Sequence, residues 1–320
     1  MTDTAKTFAV TGGGGFIGGI LTKALLDQGH SVRILSRTER KSANPKITYL
    51  KADYMDGDSL VKALDGCYGV YHLAAAIFAY NYSGFERANI TTTKNLTEAA
   101  AKVPGLEFFV YMSSQAAGGY SVDYKNPRCE ADAPAPSSDY GRTKLGGEEY
   151  VRALPANIKT IIFRAPIVYG KNDSGVSKIA AWVKRGVMVN TSKGDAYFNF
   201  IYVDDLVEAL VRSVSLPGAY GQTFYVCEDR VYTWRYFIET MAAAMKVKKP
   251  FMFTAPLWVL KIVAFVYETL ARFFGFAPAL NYDKVREAAI PGHWVCSSKK
   301  WVTLTGQQFT TLEEGLKKSF

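Results

Sequence analysis

Short apolar runs alternate with amphipathic segments along the first half of the chain. Six runs rich in β-forming residues lie at positions 7–11, 31–36, 47–52, 69–73, 108–113 and 160–164. Helix-length segments separate most of them, and runs without regular polar alternation are typical of strands buried on both faces. The pattern predicts an α/β fold built on a doubly wound parallel sheet, in which ligands bind at the carboxyl ends of the strands.

Four consecutive glycines join the first predicted strand to the first predicted helix. Their spacing fits both G-x-G-x-x-G and T-G-x-x-G-x-x-G within residues 11–18. Glycine allows a tight turn and a close approach of the backbone to a pyrophosphate, while the helix N-terminus offers unpaired N–H groups and a positive dipole. This segment therefore predicts dinucleotide binding, with contacts from Gly12, Gly15, Phe16, Ile17 and Gly18.

The pattern becomes looser beyond Gly170. A helix is predicted around residues 176–185, a return strand at 200–203 and a helix at 204–214, and an aromatic-rich tail follows from residue 250. We expect a Rossmann-type domain from residues 1–169 and 200–226, and a smaller substrate-binding domain from residues 170–199 and 227–320.

Composition excludes few classes of protein. The 320 residues are 48% hydrophobic and 21% charged, which is ordinary for a globular protein. The net charge of +9 is dispersed, so nucleic-acid binding is not expected. The four cysteines lack C-x-x-C or metal-ligand spacing, so we predict reduced thiols and no metal site. The first strand begins too early for a secretory signal, which favours a cytoplasmic protein.

Two polar motifs contain side chains that could take part in proton transfer. Tyr140 and Lys144 stand four residues apart, on one face of a helix, where an ammonium favours the phenolate and lowers the tyrosine pKa. Tyr140 could then exchange a proton with a carbonyl or alcohol oxygen. Ser113 and Ser114 end the fifth strand. Taken alone, Y-x-x-x-K is a frequent coincidence and a Ser-Ser pair is a common turn.

The order of these motifs resembles the extended short-chain dehydrogenase/reductase superfamily, the NAD-dependent epimerase/dehydratase group. Further matching segments are YHLAA at residues 71–75, RAPIVYG at 164–170 and FIYVDD at 200–205. The resemblance implies that Tyr140 is the general acid/base, that Lys144 binds the nicotinamide ribose, and that Ser114 hydrogen-bonds the reacting oxygen. Gly118 stands where the family often has a tyrosine.

The same resemblance assigns further cofactor contacts. Asp53, followed by Tyr54, fits the residue that meets the adenine, although a strand-end turn would explain Asp53 equally simply. The loop after the fourth strand and the segment after the sixth supply the remaining contacts, which are Leu73, Ala74, Ala75, Pro166 and Ile167.

The end of the second strand bears on the choice of cofactor. An acidic residue there accepts a hydrogen bond from the ribose 2′-hydroxyl and repels a 2′-phosphate. This strand ends in Ser36 and Arg37, with Arg40 and Lys41 close behind, so the sequence favours NADP(H) through Arg37 over NAD(H). A solvated basic turn is the simpler alternative.

Two enzymatic reactions compete. Sugar-nucleotide members usually carry an arginine three residues before the isoleucine of the I-H-V-x-D segment, and Phe198 stands there.

In residues 257–274 the charged residues are Lys261, Glu268 and Arg272, which fall within about 40° of one another on a helix. This segment could line an apolar pocket, pack in the second domain, or contact a membrane surface peripherally, but it is too interrupted to span one.

These features favour the 3β-hydroxysteroid dehydrogenase and dihydroflavonol reductase branch. We expect an oxidoreductase that interconverts a hydroxyl and a keto group on a largely apolar small molecule, in a homodimer. A nucleotide-sugar epimerase or dehydratase with recycled cofactor is the alternative. A non-catalytic dinucleotide-binding regulator is a third hypothesis, although such proteins commonly lose the tyrosine or the lysine, and this chain keeps both.

Overall fold

Seven parallel strands form the central sheet of the computed structural model, which describes residues 5–190, 196–274, 282–290 and 292–320. The strands of the described residues are β1 (Thr7–Thr11), β2 (Ser31–Ser36), β3 (Ile47–Lys51), β4 (Gly69–His72), β5 (Phe108–Ser114), β6 (Lys159–Ala165), β7 (Ile167–Tyr169), β8 (Val187–Asn190), β9 (Tyr197–Phe198), β10 (Phe200–Tyr202), β11 (Gln222–Tyr225), β12 (Tyr232–Thr233) and β13 (Phe251–Thr254).

The α-helices occupy most of the intervening segments. They are α1 (Phe16–Asp27), α2 (Gly57–Leu64), α3 (Tyr82–Phe85), α4 (Thr92–Ala100), α5 (Gln115–Gly118), α6 (Asp139–Arg152), α7 (Ser174–Lys184), α8 (Val203–Ser213), α9 (Trp234–Ala244), α10 (Leu257–Phe274), α11 (Tyr282–Ala288), α12 (Lys299–Thr305) and α13 (Leu312–Ser319). A π-helical turn at Glu86–Thr91 joins α3 to α4, and a 3-10 turn at Pro217–Ala219 precedes β11.

The order of the central strands is β3-β2-β1-β4-β5-β6-β11, and every neighbouring pair is parallel. Helices α1 and α8 cover one face through residues such as Leu21 and Leu210, and α2, α4 and α6 cover the other through residues such as Leu60 and Leu96. The order reverses between β1 and β4, which is where a doubly wound sheet opens a binding crevice. The predicted fold class is confirmed.

A second apolar core lies beyond the sheet, where α7, α9 and α13 pack around the β7–β10 pair. Its largest members include Tyr169, Phe200 and Phe237. The C-terminal segment also serves the first core, because Trp301 of α12 packs against Phe163 and Phe224 of the central sheet. The predicted domain boundaries therefore stay a prediction. Trp301, in the segment assigned to the substrate-binding domain, packs against the central sheet.

Helix α10 lies on the surface of this second part. Its buried side chains, Leu260 and Ala264, pack against Val285 of α11 and Val189 of β8. If α10 lined an apolar pocket, Phe265 and Phe273 would be buried. They are 68% and 84% exposed. Among the described residues, no helix combines the length and the apolarity needed to cross a membrane.

Candidate active site

The polar and glycine-rich segments singled out in the sequence meet at one edge of the sheet. Gly12 follows β1, Arg37 follows β2, and Asp53 and Tyr54 follow β3. Leu73, Ala74 and Ala75 follow β4, Ser114 ends β5, and Pro166 and Ile167 lie where β6 gives way to β7. Because all these strands are parallel, their carboxyl ends lie along one edge of the sheet, where a doubly wound sheet binds its ligands.

The glycine loop wraps closely around the start of α1. Gly12 has a φ of +70°, and a Cβ there would lie 2.9 Å from the backbone nitrogen of Ala74. A Cβ on Gly18 would lie 2.2 Å from the carbonyl oxygen of Gly12. Gly15 caps the helix without a side-chain acceptor. The N–H groups of the first turn are thus available to an anion, and the cradle fits the pyrophosphate of a dinucleotide.

A buried hydrogen-bond chain links this loop to its neighbours. Thr11 Oγ1 accepts hydrogen bonds from the backbone N–H groups of Leu73 and Ala74, at 3.1 and 3.0 Å. The same hydroxyl lies 2.7 Å from His72 Nδ1, and His72 Nε2 lies 2.9 Å from Thr93 Oγ1. Since Thr93 donates to the carbonyl of Asn89, it accepts from Nε2–H of His72, which leaves Nδ1 to accept from Thr11.

His72 is therefore a neutral connector and not an acid/base group. Burial, together with the nearby charge of Lys144, lowers the pKa of His72 to about 3. From Asn89, in the π-helical turn, the chain of hydrogen bonds continues to Thr143 Oγ1 at 3.0 Å, and Thr143 donates to the carbonyl of Tyr140 at 2.9 Å. The cofactor loop and the helix that carries Tyr140 are thus fixed to each other.

Ser114 and Tyr140 meet where α5 packs against α6. The Ser114 side chain hydrogen-bonds the phenol of Tyr140. A Cβ on Gly141 would lie 2.4 Å from the carbonyl oxygen of Ala116, so the glycine after Tyr140 permits this close approach. The sequence predicted that Lys144 lowers the pKa of Tyr140, and this expectation is wrong for the structure. Burial raises the pKa of Tyr140 to about 12, the Ser114 hydrogen bond opposes the rise, and the charge of Glu287 adds to it.

Lys144 lies one turn after Tyr140 and is 1% exposed. Its Nζ stands 4.1 Å from the centroid of the Tyr111 ring, a cation–π contact. Burial lowers the pKa of Lys144 to about 7, while the carboxylate of Glu148 on the next turn of α6 raises it. The ammonium is therefore poised to lose a proton near neutral pH, which suits a group that hydrogen-bonds a ribose beside an acid/base residue.

Glu148 belongs to a buried ionic cluster that the sequence reasoning missed. Arg164 Nε and Nη2 donate to its two carboxylate oxygens at 2.9 and 2.8 Å, and Ser113 donates at 2.5 Å. Arg152 adds a further ion pair at 2.6 Å. Burial raises the pKa of Glu148, but these hydrogen bonds and charges outweigh it and lower the pKa overall. The i, i+4 spacing from Lys144 was the available signal.

Asp283 of α11 completes the N-terminus of α6. Its carboxylate accepts hydrogen bonds from the backbone N–H groups of Asp139 at 3.0 Å and Tyr140 at 3.3 Å. Ser138 Oγ accepts from the N–H of Gly141 at 3.1 Å. The first turn of the helix that bears Tyr140 is therefore capped in part by a residue 144 positions away in the sequence.

The end of β2 presents a basic surface, as predicted. Arg37 is exposed and its charge acts on Tyr54, whose hydroxyl donates to the carbonyl of Leu35 at 3.3 Å. Arg40 reaches over the glycine loop, because its Nη1 lies 3.3 Å from the position that a Cβ on Gly14 would take. Asp53 is exposed and caps its own turn by accepting from the N–H of Met55 at 2.9 Å.

Phe198 stands in an aromatic environment. Its ring lies 6.0 Å from that of Trp234, and β9 pairs with β12 on one side and bridges to Trp294 on the other. The neighbouring Tyr197 stacks on Tyr124 at 4.1 Å. The position that sugar-nucleotide relatives fill with arginine therefore contributes no cation here.

Comparison with known proteins agrees with this geometry. The family model described as NAD dependent epimerase/dehydratase family matches residues 8–226. An uncharacterized protein, y4nG, from Sinorhizobium fredii is 32% identical over 218 residues, covering 67% of this chain and 54% of that protein. A putative dihydroflavonol 4-reductase from Synechocystis is 38% identical over 37% of this chain and 36% of its own length.

A 3 beta-hydroxysteroid dehydrogenase/Delta 5-->4-isomerase from Mycobacterium tuberculosis is 29% identical over 71% of this chain and 66% of its own length. Among solved structures, UDP-glucuronic acid 4-epimerase from Bacillus cereus, in complex with UDP-glucuronic acid and NAD, superposes with a TM-score of 0.76 at 20% identity, covering 98% of this chain and 97% of that one. At that identity the likeness concerns the fold. Together with the motifs at the sheet edge, the family match shows that the chain belongs to the NAD-dependent epimerase/dehydratase family and is similar to its hydroxysteroid dehydrogenase and dihydroflavonol reductase members.

Proposed function

We propose that the protein is an NADP(H)-dependent oxidoreductase that interconverts a hydroxyl and a keto group on a largely apolar small molecule. The observation that carries the proposal is the convergence of Ser114, Tyr140 and Lys144 beside a glycine cradle open to a pyrophosphate. A regulator that only binds dinucleotide has no need for this polar triad, nor for a buried lysine whose pKa is lowered to about 7.

The bound dinucleotide would supply or accept a hydride at its nicotinamide ring. Gly12, Gly15 and Gly18 with the first turn of α1 would hold its pyrophosphate, and the segment after β6, at Pro166 and Ile167, would hold the carboxamide. Tyr140 stays protonated at neutral pH because burial raises its pKa to about 12, so its phenol can donate to a carbonyl oxygen. Ser114 would hydrogen-bond the same oxygen, and Lys144 would hold the ribose hydroxyls and resupply the proton.

The preference for NADP(H) rests on the basic surface after β2. Arg37 and Arg40 extend from the same turn, and Arg40 lies close to Gly14 of the cradle. Two guanidinium groups can hold a 2′-phosphate dianion through charge-assisted hydrogen bonds. The first carboxylate after this strand is Glu39, beyond the position that accepts from a ribose hydroxyl.

An apolar substrate is favoured by Phe198 and by the half-buried rings around it. Phe198, Tyr197, Tyr124 and Trp294 bring aromatic surface where a nucleotide-sugar diphosphate would need a cation. Relatives named for hydroxysteroids and dihydroflavonols point to the same class of substrate. A homodimer is part of the proposal through the family resemblance alone.

The test follows nicotinamide absorbance near about 340 nm with steroids, flavonoids, β-keto acids and nucleotide sugars, each with NADPH, NADH and their oxidised forms. We expect net oxidation or reduction of NADP(H) with an apolar ketone or alcohol, abolished in Tyr140→Phe. Tyr220→Phe is the matched control, because that hydroxyl donates to Val214 near the opposite edge of the sheet. Conversion of a nucleotide sugar without net absorbance change would contradict the proposal in favour of epimerisation.

A further inference from the structure

The outward face of α10 is apolar and open to solvent. Nine large apolar side chains of this helix are exposed, with Trp258 at 66%, Phe265 at 68% and Phe273 at 84%. At about 100° per residue, the positions from Phe265 round to Phe274 cover roughly half of the circumference. An apolar face of this size on a helix about 27 Å long is more than scattered surface residues account for.

The polar side chain within this face satisfies its hydrogen-bond donor locally. Thr269 lies within the arc and is exposed, and its hydroxyl donates to the carbonyl of Phe265 at 2.8 Å. The hydrogen bond leaves the methyl group as the part of the side chain suited to an apolar medium. Lys261 and Glu268 lie beside one another at one edge of the helix, outside the arc.

The apolar surface continues onto the ribbon of β8 and β13. Phe251 and Phe253 alternate along β13, so both point to the same face of the ribbon, and both are exposed. Val187 stands opposite Phe251 and is also exposed. The ribbon adjoins α10, because Val189, opposite Phe253, packs against the Leu260 cluster. We call α10 and this ribbon the outer face.

Basic residues lie at one end of the outer face. Residues 174–190 and 246–271 contain seven lysines or arginines, of which Lys249 is paired with Glu239 at 2.7 Å. Lys184, Arg185 and Lys248 are exposed at the end where both ribbon strands begin, since the N–H of Phe251 donates to the carbonyl of Gly186. The Arg185 guanidinium lies 5.3 Å from the ring of Trp182, which is itself exposed.

We propose that the outer face docks on the surface of a lipid bilayer that contains anionic headgroups, with α10 lying in the plane of the interface. Exposed Trp and Phe at the headgroup level, beside lysine and arginine, fit that environment. A second copy of the chain fits less well, because a two-fold contact would set this face against an identical one, which offers few acidic residues to complement its lysines and arginines. The inference is independent of the reaction assigned above, since docking is measured without turnover.

The experiment is co-sedimentation of the full-length protein with sucrose-loaded vesicles of phosphatidylcholine, alone or mixed with phosphatidylglycerol. We expect partitioning onto the mixed vesicles to be stronger, by roughly fivefold for each basic residue that reaches the surface. The difference should shrink as salt is raised, because the charges are exposed.

Two sets of variants assign the binding to the outer face. Phe265→Ser with Phe273→Ser removes two exposed rings from α10, and we expect partitioning to fall at least about tenfold. Val122→Ser with Phe320→Ser is the matched control, since both side chains are exposed elsewhere, and should partition like the wild type. The triple variant Lys184→Gln, Arg185→Gln, Lys248→Gln should lose the preference for phosphatidylglycerol and bind both kinds of vesicle more weakly than the wild type. Cofactor affinity, measured in parallel, shows that each variant is folded.

Three results would each overturn the proposal. The first is absence of wild-type binding to the mixed vesicles. The second is binding that the Phe265 and Phe273 substitutions leave intact. The third is light scattering that shows a wild-type dimer converted to monomer by those substitutions, with no vesicle binding, which would assign the face to a second copy of the chain.

Discussion

Two adjacent glycines in α1 provide a matched test of the cofactor cradle. Gly18 is buried, and an added Cβ would lie 2.2 Å from the carbonyl oxygen of Gly12 and 2.7 Å from the Cα of Gly13. Gly19 is exposed, and a Cβ there would meet no atom within 4 Å. Gly18→Ala must therefore push the glycine loop away from the helix by about 1 Å, whereas Gly19→Ala disturbs nothing.

The expected magnitudes follow from this geometry. Overpacking at Gly18 should cost about 1–3 kcal/mol of the free energy of unfolding. Losing one charge-assisted hydrogen bond between the displaced loop and the pyrophosphate should weaken NADPH binding by about 1.5–3 kcal/mol, roughly 10- to 150-fold. Gly19→Ala should leave the affinity unchanged and stabilise the helix by up to about 1 kcal/mol, because alanine is the better helix former.

The assay is a fluorescence titration of each variant with NADPH, together with urea unfolding of the apoprotein. Equal NADPH affinity in Gly18→Ala and wild type would refute the assignment of the loop as the pyrophosphate site. An equal loss in Gly19→Ala would show that the effect arises from α1 in general and not from the contact with Gly12.

Four further predictions concern single side chains of the site. Arg37→Asp should shift preference from NADP(H) toward NAD(H), because it removes a 2′-phosphate partner and adds an acceptor for a ribose hydroxyl; titration with both cofactors measures the shift. Burial lowers the pKa of Lys144 to about 7 from 10.5, so the unfolded chain binds more protons between those pH values. The free energy of unfolding of the wild-type apoprotein, measured by urea denaturation, should therefore increase as the pH rises across that range. In Lys144→Met this increase should be absent. Glu148→Gln should destabilise the protein by about 3–5 kcal/mol, because it breaks a buried ion pair and leaves Arg164 buried without its counter-charge; urea denaturation measures this. Asp283→Asn should lower kcat by a larger factor than it weakens NADPH binding, because its carboxylate caps the helix turn that holds Tyr140.

Each of these has a contrary result that is easy to recognise. Wild type that binds NADH more tightly than NADPH removes the role given to Arg37. A pH dependence of unfolding that is the same in wild type and Lys144→Met shows that other groups produce it. Unchanged stability in Glu148→Gln means that the ion pair is dispensable, and full turnover in Asp283→Asn means that the cap does not position Tyr140.

Local patterns were sufficient to predict the scaffold and the segments that meet at the carboxyl edge of its sheet. The apolar runs at 7–11 and 31–36 became β1 and β2 with the same bounds, because strands buried on both faces lack a regular alternation of polar residues. The glycine loop and the i, i+4 pair of Tyr140 and Lys144 are short-range features, so sequence spacing fixes their local geometry.

Long-range contacts were beyond such patterns. Asp283 reaches Tyr140 across more than a hundred residues, and nothing in the sequence around position 283 indicates a cap for another helix. The chain of hydrogen bonds through His72, Thr93 and Asn89 likewise depends on which strands and helices become neighbours. The pKa of Tyr140 was predicted in the wrong direction because spacing reveals a neighbouring charge but not the burial that outweighs it.

The direction in which α10 faces was also open from the sequence. The narrow arc of charged residues fits an inward and an outward apolar face equally, because periodicity does not say which face is covered. In the structure, Leu260 and Ala264 form the covered face of α10, against α11 and β8. Phe265 and Phe273 are left exposed to solvent.

The most direct measurement of the central claim is the turnover of NADPH by wild type and Tyr140→Phe with an apolar ketone identified in the substrate screen. The account predicts that wild type oxidises NADPH with net loss of nicotinamide absorbance, and that Tyr140→Phe binds NADPH normally while its turnover is abolished. Turnover of Tyr140→Phe within about tenfold of wild type would contradict the assignment of Tyr140 as the proton donor.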